Sequence, residues 1–236
     1  MNRFENLIDN LEKDHSGDWW LDIYKTTNEV DGAGFINEQA SIYNKALESM
    51  ESKAFLTLKE KIVVLFKQND ARRGKHQFFN QLNEALAYEF LKKIGCTNIK
   101  FVHENSKDKI KTPDLSFELN SNQGCCEVKT ISSSDNEINR NSDEKVFSSD
   151  VYEDLGPGFF KKLQDDINNA VEKMGTLYSQ KLIYIIVHFD DPMLIYYSSY
   201  KDQIIAYIKK EHPLIEIYIR VGLYGKKHIH CIPENA

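Results

Sequence analysis

Several features that would place this chain in a familiar class are missing from its sequence. No apolar run approaches the roughly 18 residues of a membrane-spanning helix, so we expect no membrane partner. The first segment, MNRFENLIDNLEKD, is charged and amphipathic and has no signal-peptide core. None of the four cysteines forms a CxxC pair, and a cytoplasmic protein with reduced thiols is the simplest interpretation.

An excess of positive charge is also missing. The formal net charge is −6, which argues against a broad basic surface for nucleic acid but leaves room for a local basic groove. The composition, 41% hydrophobic and 28% charged, is that of an ordinary globular protein. No internal repeat or long low-complexity segment stands out.

The first part of the chain, residues 1–70, has the pattern of a helical region. Apolar residues in FENLIDNLEKD recur at helical spacing, at Phe4, Leu7, Ile8 and Leu11. EQASIYNKALESM and LTLKEKIVVLFKQ continue the pattern, and no strand signal precedes residue 98. The sequence therefore predicts a helical N-terminal region.

Residues 71–236 have the pattern of an α/β domain with a mixed sheet flanked by helices. The predicted order is a helix, three strands, a helix, a strand, a helix and a strand. The segments are HQFFNQLNEALAYEFLKKIG, NIKFVHE, PDLSFEL, GCCEVKTI, GFFKKLQDDINNAVEKMG, KLIYIIVHF, SYKDQIIAYIKKEH and LIEIYIRVGLY. KLIYIIVHF is nearly all apolar, which indicates a strand buried on both faces. KDKIK is predicted as a turn and residues 132–157 as a long loop.

Charged residues stand in two of the predicted neighbouring strands. Side chains alternate along a strand, so Glu127 and Lys129 project to the same side. If Asp114 projects there too, two carboxylates converge beside an ammonium. Mg²⁺ prefers carboxylate oxygens as ligands, and the backbone carbonyl of Val128 can add another. With a lysine nearby, these residue types suit metal-assisted hydrolysis of a phosphodiester bond. The alternative is a solvated sheet face stabilised by cross-strand charges.

Pro113-Asp114, a gap of twelve residues and Glu127-Val128-Lys129 resemble the motif of the PD-(D/E)xK nuclease superfamily. The order of predicted elements over 76–189 resembles the core of that restriction-endonuclease-like fold. The resemblance implies that Asp114 and Glu127 are metal ligands and that Lys129 is the catalytic lysine. It covers about half of the chain.

The resemblance also implies a glutamate on the first core helix. Glu84 lies eleven residues before Gly95 and is the preferred candidate as an additional ligand or water-positioning acid. Glu89 is the competitor, five residues further on and therefore on another side of the helix.

Phosphate contacts are predicted at two places. Arg72, Arg73 and Lys75 directly precede the helix that carries Glu84, although a solvated linker explains them equally well. Gln164 lies near the start of the second core helix, where some relatives place a Gln or Lys near the phosphate. Its neighbours Lys161 and Lys162 are interpreted as surface lysines.

The remaining candidates are more simply explained by structure. His228, His230 and Cys231 suit a metal in residue type, but no second cluster completes a zinc site. Base stacking or helix packing explains the aromatic residues Trp19, Trp20 and Tyr24. Cys125 and Cys126 are interpreted as small core residues.

By resemblance, the expected function is that of a Mg²⁺- or Mn²⁺-dependent nuclease acting on nucleic acid, with DNA favoured over RNA. Restriction, phage defence and DNA repair are roles suggested by family analogy alone. A homodimer or an accessory protein is left open as a partner. The alternative function is a catalytically inactive module of the same fold that binds nucleic acid or protein.

Overall fold

The computed structural model describes residues 2–29, 34–102, 111–132, 153–189 and 194–233. The described helices are α1 (Arg3–Asp14), α2 (Trp19–Glu29), α3 (Gly34–Glu48), α4 (Ser52–Phe66), α5 (His76–Lys93), α6 (Pro157–Met174) and α7 (Tyr197–Glu211). The described strands are β1 (Thr97–Phe101), β2 (Leu115–Leu119), β3 (Asn122–Ile131), β4 (Gln180–Val187), β5 (Glu216–Val221) and β6 (Lys227–Cys231).

The six strands form one mixed sheet in which they follow chain order from β1 to β6. The predicted α/β class is therefore confirmed. None of the described helices combines the length and the apolar character needed to cross a membrane. The predicted turn at KDKIK and nearly all of the predicted loop at 132–157 lie outside the described residues.

The chain divides into two compact units. The first unit contains Met1–Phe101 and Leu115–Ser121, and the second contains Val102–Asp114 and Asn122–Ala236. Helix α5 and strands β1 and β2 therefore belong with the N-terminal helices, whereas the sequence suggested a boundary near residue 70. The reason is that α5 packs along α3 and α4 and shares their core.

Helices α1 to α5 form the first unit together with the antiparallel pair β1 and β2. Helix α1 begins at a capping box, in which the side chains of Asn2 and Glu5 each accept the other residue's backbone N–H. Its apolar stripe is buried as predicted. The centroid of the Trp20 ring lies 5.2 Å from that of Phe78, and the Trp20 ring stacks on Tyr24. Trp20 and Tyr24 therefore pack against other residues of the same unit.

Strands β3, β4 and β5 run parallel in the second unit, and β6 pairs antiparallel with β5. Helix α6 connects β3 to β4, and α7 connects β4 to β5. The apolar face of α6 contributes four buried side chains to the core of this unit, Leu163, Ile167, Ala170 and Met174. This core also contains Cys125 and Ile131, which mark the face of β3 that is covered.

Strand β4 is the central element of the second unit. Every residue from Leu182 to Val187 is buried, so both faces of the strand are covered. This confirms the prediction made from the run KLIYIIVHF. The parallel register places Glu127 beside Ile183 and Lys129 beside Ile185, which sets the charged residues of β3 next to the most apolar strand.

A buried ion pair precedes α5 in the first unit. The ammonium of Lys75, which is only 3% exposed, lies 2.5 Å from Asp18 Oδ2 and donates to the carbonyl of Phe66 at 2.9 Å. Asp18 Oδ1 also accepts the N–H of Trp20 at the start of α2. Lys75 therefore joins the start of α2 and the end of α4 to the start of α5.

Removing the charge of Asp18 should destabilise the first unit more than removing an exposed partner does. Asp18→Asn retains an acceptor for Trp20 but leaves a buried ammonium without its counter-charge, for which we expect a loss of about 2 kcal/mol. The matched control, Glu12→Gln, breaks the exposed pair with Lys25 and should cost less than about 1 kcal/mol. Urea unfolding measures both, and equal losses would contradict the role of burial.

Candidate active site

The side chains of Glu127 and Lys129 point to the same side of β3, as the alternation predicts. Lys129 Nζ lies 2.8 Å from Glu127 Oε1. The Glu127 side chain is 0% exposed and that of Lys129 is 18% exposed, so the pair is not on a solvated sheet face. This is the face that also carries Cys125 and Ile131 and that α6 covers.

Asp114 is attached to the same strand by its side chain. Its Oδ2 accepts the backbone N–H of Val128 at 2.8 Å. Its own carbonyl accepts the N–H of Val102 at 2.9 Å, so backbone and side chain are both held. The carboxylate is 18% exposed, and its Oδ1 lies 3.9 Å from the ammonium nitrogen of Lys173.

Lys173, in the last turn of α6, contacts both carboxylates. Its Nζ lies 2.9 Å from Glu127 Oε1 and 3.9 Å from Asp114 Oδ1. One ammonium thus reaches the two predicted metal ligands, which brings Asp114 and Glu127 to one place in the second unit. Sequence reasoning missed Lys173, because a lysine in the last turn of a helix is common wherever it offsets the helix dipole.

The second oxygen of Glu127 has no hydrogen-bond partner among the described residues. Oε2 is buried and accepts no bond from any residue that the structure describes. Burial raises the pKa of Glu127, the neighbouring carboxylate of Asp114 adds to the increase, and the ammonium groups of Lys129 and Lys173 oppose it. A buried carboxylate oxygen without a donor is costly, and a bound cation would satisfy it.

The residues present fit a hard divalent ion. Asp114 and Glu127 supply carboxylate oxygens of the kind that Mg²⁺ and Mn²⁺ prefer, and Mg²⁺ typically takes one or two carboxylates with water and phosphate. Among the residues that the structure describes, no three His, Cys, Asp or Glu side chains gather into a ready metal cluster. Water and substrate oxygens would therefore have to complete the coordination.

The two candidate glutamates of α5 lie in the first unit and are paired there. Glu84 is buried and its Oε2 lies 3.4 Å from Lys61 Nζ. Glu89 is also buried, with Lys93 at 3.1 Å and Lys45 at 3.7 Å. The preference for Glu84 over Glu89 as an additional ligand stays a prediction.

The predicted phosphate contacts have different surroundings. Arg72 and Arg73 are exposed, and Asp70 Oδ1 accepts both of their backbone N–H groups. The ammonium of Lys75 is occupied by Asp18, so the geometry does not favour a phosphate contact there. Gln164 bonds the hydroxyl of Tyr207 on α7, which likewise directs it to a neighbouring helix.

The lysines beside Gln164 were interpreted as surface residues. Lys161 is exposed, and Lys162 forms an i,i+4 pair with Asp166 at 2.6 Å. Both positions agree with that interpretation.

The histidines of β6 are engaged by aromatic and acidic neighbours. His228 stacks on Tyr218 with ring centroids 5.4 Å apart, and His230 Nε2 lies 2.8 Å from Glu216 Oε1.

Burial raises the pKa of the Cys125 thiol to about 12 and that of Cys126 well above its usual range. Both thiols are therefore protonated core groups, as interpreted from the sequence, rather than reactive nucleophiles.

Comparison with known proteins assigns no family to the chain. No family model, no curated protein and no solved structure matches the chain.

The ionisation of Glu127 should make the protein less stable as pH rises. Because its pKa is raised in the folded state, its contribution to stability is fully present below its ordinary pKa of 4.5 and is lost as pH rises through the folded value. We expect the free energy of unfolding of the native protein, relative to Glu127→Gln, to fall as pH rises above about 4.5 and to level off once the carboxyl group is ionised in the folded protein. Each unit of increase in the pKa corresponds to about 1.4 kcal/mol.

Denaturant unfolding at several pH values in the presence of EDTA measures this difference. Glu127→Gln is the suitable reference because it retains the shape of the side chain without its charge. A difference that grows in favour of the native protein at higher pH would show that the two lysines stabilise the ionised carboxylate.

Proposed function

We propose that the protein is a metal-dependent nuclease that hydrolyses phosphodiester bonds, with DNA favoured over RNA as the substrate. The observation that carries the proposal is the meeting of Asp114, Glu127 and Lys129 in one unit, with a buried Glu127 oxygen that no described residue pairs. It agrees with the PD-(D/E)xK motif and with a restriction-endonuclease-like fold, both of which rest on resemblance.

Asp114 and Glu127 would hold the ion, with the carbonyl of Val128 as a further candidate ligand. A bound Mg²⁺ would supply Lewis-acid chemistry, lowering the pKa of a coordinated water and offsetting charge on the phosphate. The N–H of Val128 orients the Asp114 carboxylate before any ion arrives.

Lys129 is the residue that would act on the reacting atoms. Its ammonium is held by Glu127 in a partly buried position, so it is oriented before substrate binds. A positive charge fixed in such a place stabilises the negative charge that develops on the phosphate during attack. It also attracts the attacking water and orients its lone pairs.

One observation favours the alternative, a module of this fold without catalysis. Glu127 Oε1 already contacts two ammonium groups, from Lys129 and Lys173, and such a cluster can serve structure alone. The two functions differ in metal binding. A structural cluster predicts no Mg²⁺ or Mn²⁺ affinity that depends on Asp114 and Glu127.

Replacing Lys129 should reduce cleavage without removing the ion. We expect Lys129→Ala to lower the cleavage rate by about 10²-fold or more, because the ammonium acts mainly on charge that appears in the transition state. The assay uses labelled single- and double-stranded DNA and RNA with Mg²⁺ or Mn²⁺, and calorimetry checks that the variant still binds the metal ion.

The control variant is Lys210→Ala, which removes an exposed lysine of α7 paired with Glu211 and should cleave normally. Unchanged cleavage by purified Lys129→Ala would overturn the proposed mechanism. Absence of cleavage of all four substrates by the native protein would favour the binding module.

Removing the charge of Asp114 should weaken metal binding and reduce cleavage with it. Asp114→Asn retains an oxygen that accepts the N–H of Val128, so the fold is conserved while a charged ligand is lost. Titration with Mn²⁺ should show at least about a tenfold weaker affinity, equivalent to about 1.4 kcal/mol. Glu118→Gln, which alters a carboxylate that accepts from Asn98 elsewhere in the sheet, is the control.

A further inference from the structure

The position of Lys173 suggests that the candidate site already contains a cation of its own. Its ammonium lies within 4 Å of an oxygen of each carboxylate, at 2.9 Å from Glu127 and 3.9 Å from Asp114. Its side chain is 25% exposed, so the ammonium lies between the buried carboxylate and solvent. Lys129 contacts the same oxygen of Glu127 from within the strand.

The end of α6 is a suitable place for such a cation. The last turn of a helix carries partial negative charge, which favours a lysine there. Met174, the next residue, is buried in the core of the second unit and anchors this turn against β3. The lysine is therefore delivered from a rigid element rather than from a loop.

An ammonium and a divalent ion cannot occupy the same oxygens without mutual repulsion. Two cations a few ångströms apart repel strongly in a partly buried site, where the effective dielectric constant is far below that of water. A metal ion that binds Glu127 and Asp114 must therefore move Lys173 away from them or bind next to a positive charge.

We propose that Lys173 competes with the divalent ion for Glu127 and Asp114 and so sets the metal affinity of the site. This inference rests on the proposed function only in taking Asp114 and Glu127 as the metal ligands. Lys129 differs in role, because it belongs to β3 itself and is expected to remain beside Glu127 when the ion is bound. Lys173 is a positioning residue that acts through the metal site.

The test is calorimetric titration of the purified chain with Mn²⁺ in the absence of nucleic acid. Lys173→Met removes the charge but retains most of the side-chain length, and we expect it to bind Mn²⁺ about tenfold or more tightly than the native protein. Lys173→Arg retains the charge and should stay close to the native affinity. An unchanged or weaker affinity of Lys173→Met would overturn the proposal.

The matched control is Lys162→Met on the same helix. Lys162 also contacts a nearly buried carboxylate, Asp166, at 2.6 Å, and Asp166 Oδ2 likewise has no described partner. Lys162 precedes Lys173 by three turns, about 16 Å along the axis. Its replacement should leave Mn²⁺ affinity unchanged, and a gain equal to that of Lys173→Met would reduce the effect to net charge and overturn the proposal.

Circular dichroism checks that each variant folds. If Lys173→Met and a second neutral variant, Lys173→Gln, both fail to fold, labelling of the native protein with an amine-acylating reagent decides. Mn²⁺ should then increase the labelling of Lys173, since the ion displaces its ammonium, and unchanged or reduced labelling would overturn the proposal.

These outcomes are separate from those of the cleavage assay. If the native protein cleaves no nucleic acid but Lys173→Met binds Mn²⁺ more tightly, the proposed function is wrong and the proposed competition is supported. If the native protein is a nuclease but its metal affinity does not change in Lys173→Met, the proposed function is supported and the proposed competition is wrong.

Discussion

The burial of the Glu127 carboxylate is the constraint on which the rest of the site depends. A carboxylate with no exposure beside the apolar residues 182–187 of β4 requires compensation, and the second unit provides it from two directions. Lys129 comes from the same strand and Lys173 from the helix that covers it. The packing of α6 against β3 therefore places the ammonium group of Lys173 beside the buried Glu127 carboxylate.

The two ammonium groups compensate the buried Glu127 carboxylate only in part, and this bears on the proposed metal site. Glu127 Oε2 remains without a donor among the described residues, and burial together with Asp114 raises the pKa of Glu127 in spite of two ammonium groups. Most buried polar atoms in folded proteins have a hydrogen-bond partner, so a buried oxygen without one calls for an explanation. Under the proposed function, that explanation is a bound metal ion.

The elements with strong patterns were predictable from the sequence. The nearly all-apolar run KLIYIIVHF predicted a strand buried on both faces, and the period of α1 predicted which four residues are buried. Boundaries were less predictable, because strand ends depend on pairing partners. Strand β3 begins at Asn122, two residues before the predicted segment GCCEVKTI.

The sequence by itself determined that Glu127 and Lys129 share a face, because side-chain alternation is a local property of an extended backbone. It also placed Asp114 at the start of the preceding strand. Only the tertiary structure decided that Lys173 meets both acids, that Lys75 is taken by Asp18, and that Gln164 turns to Tyr207. Those contacts join residues 43 to 59 positions apart, and packing of whole elements sets them, which no local pattern records.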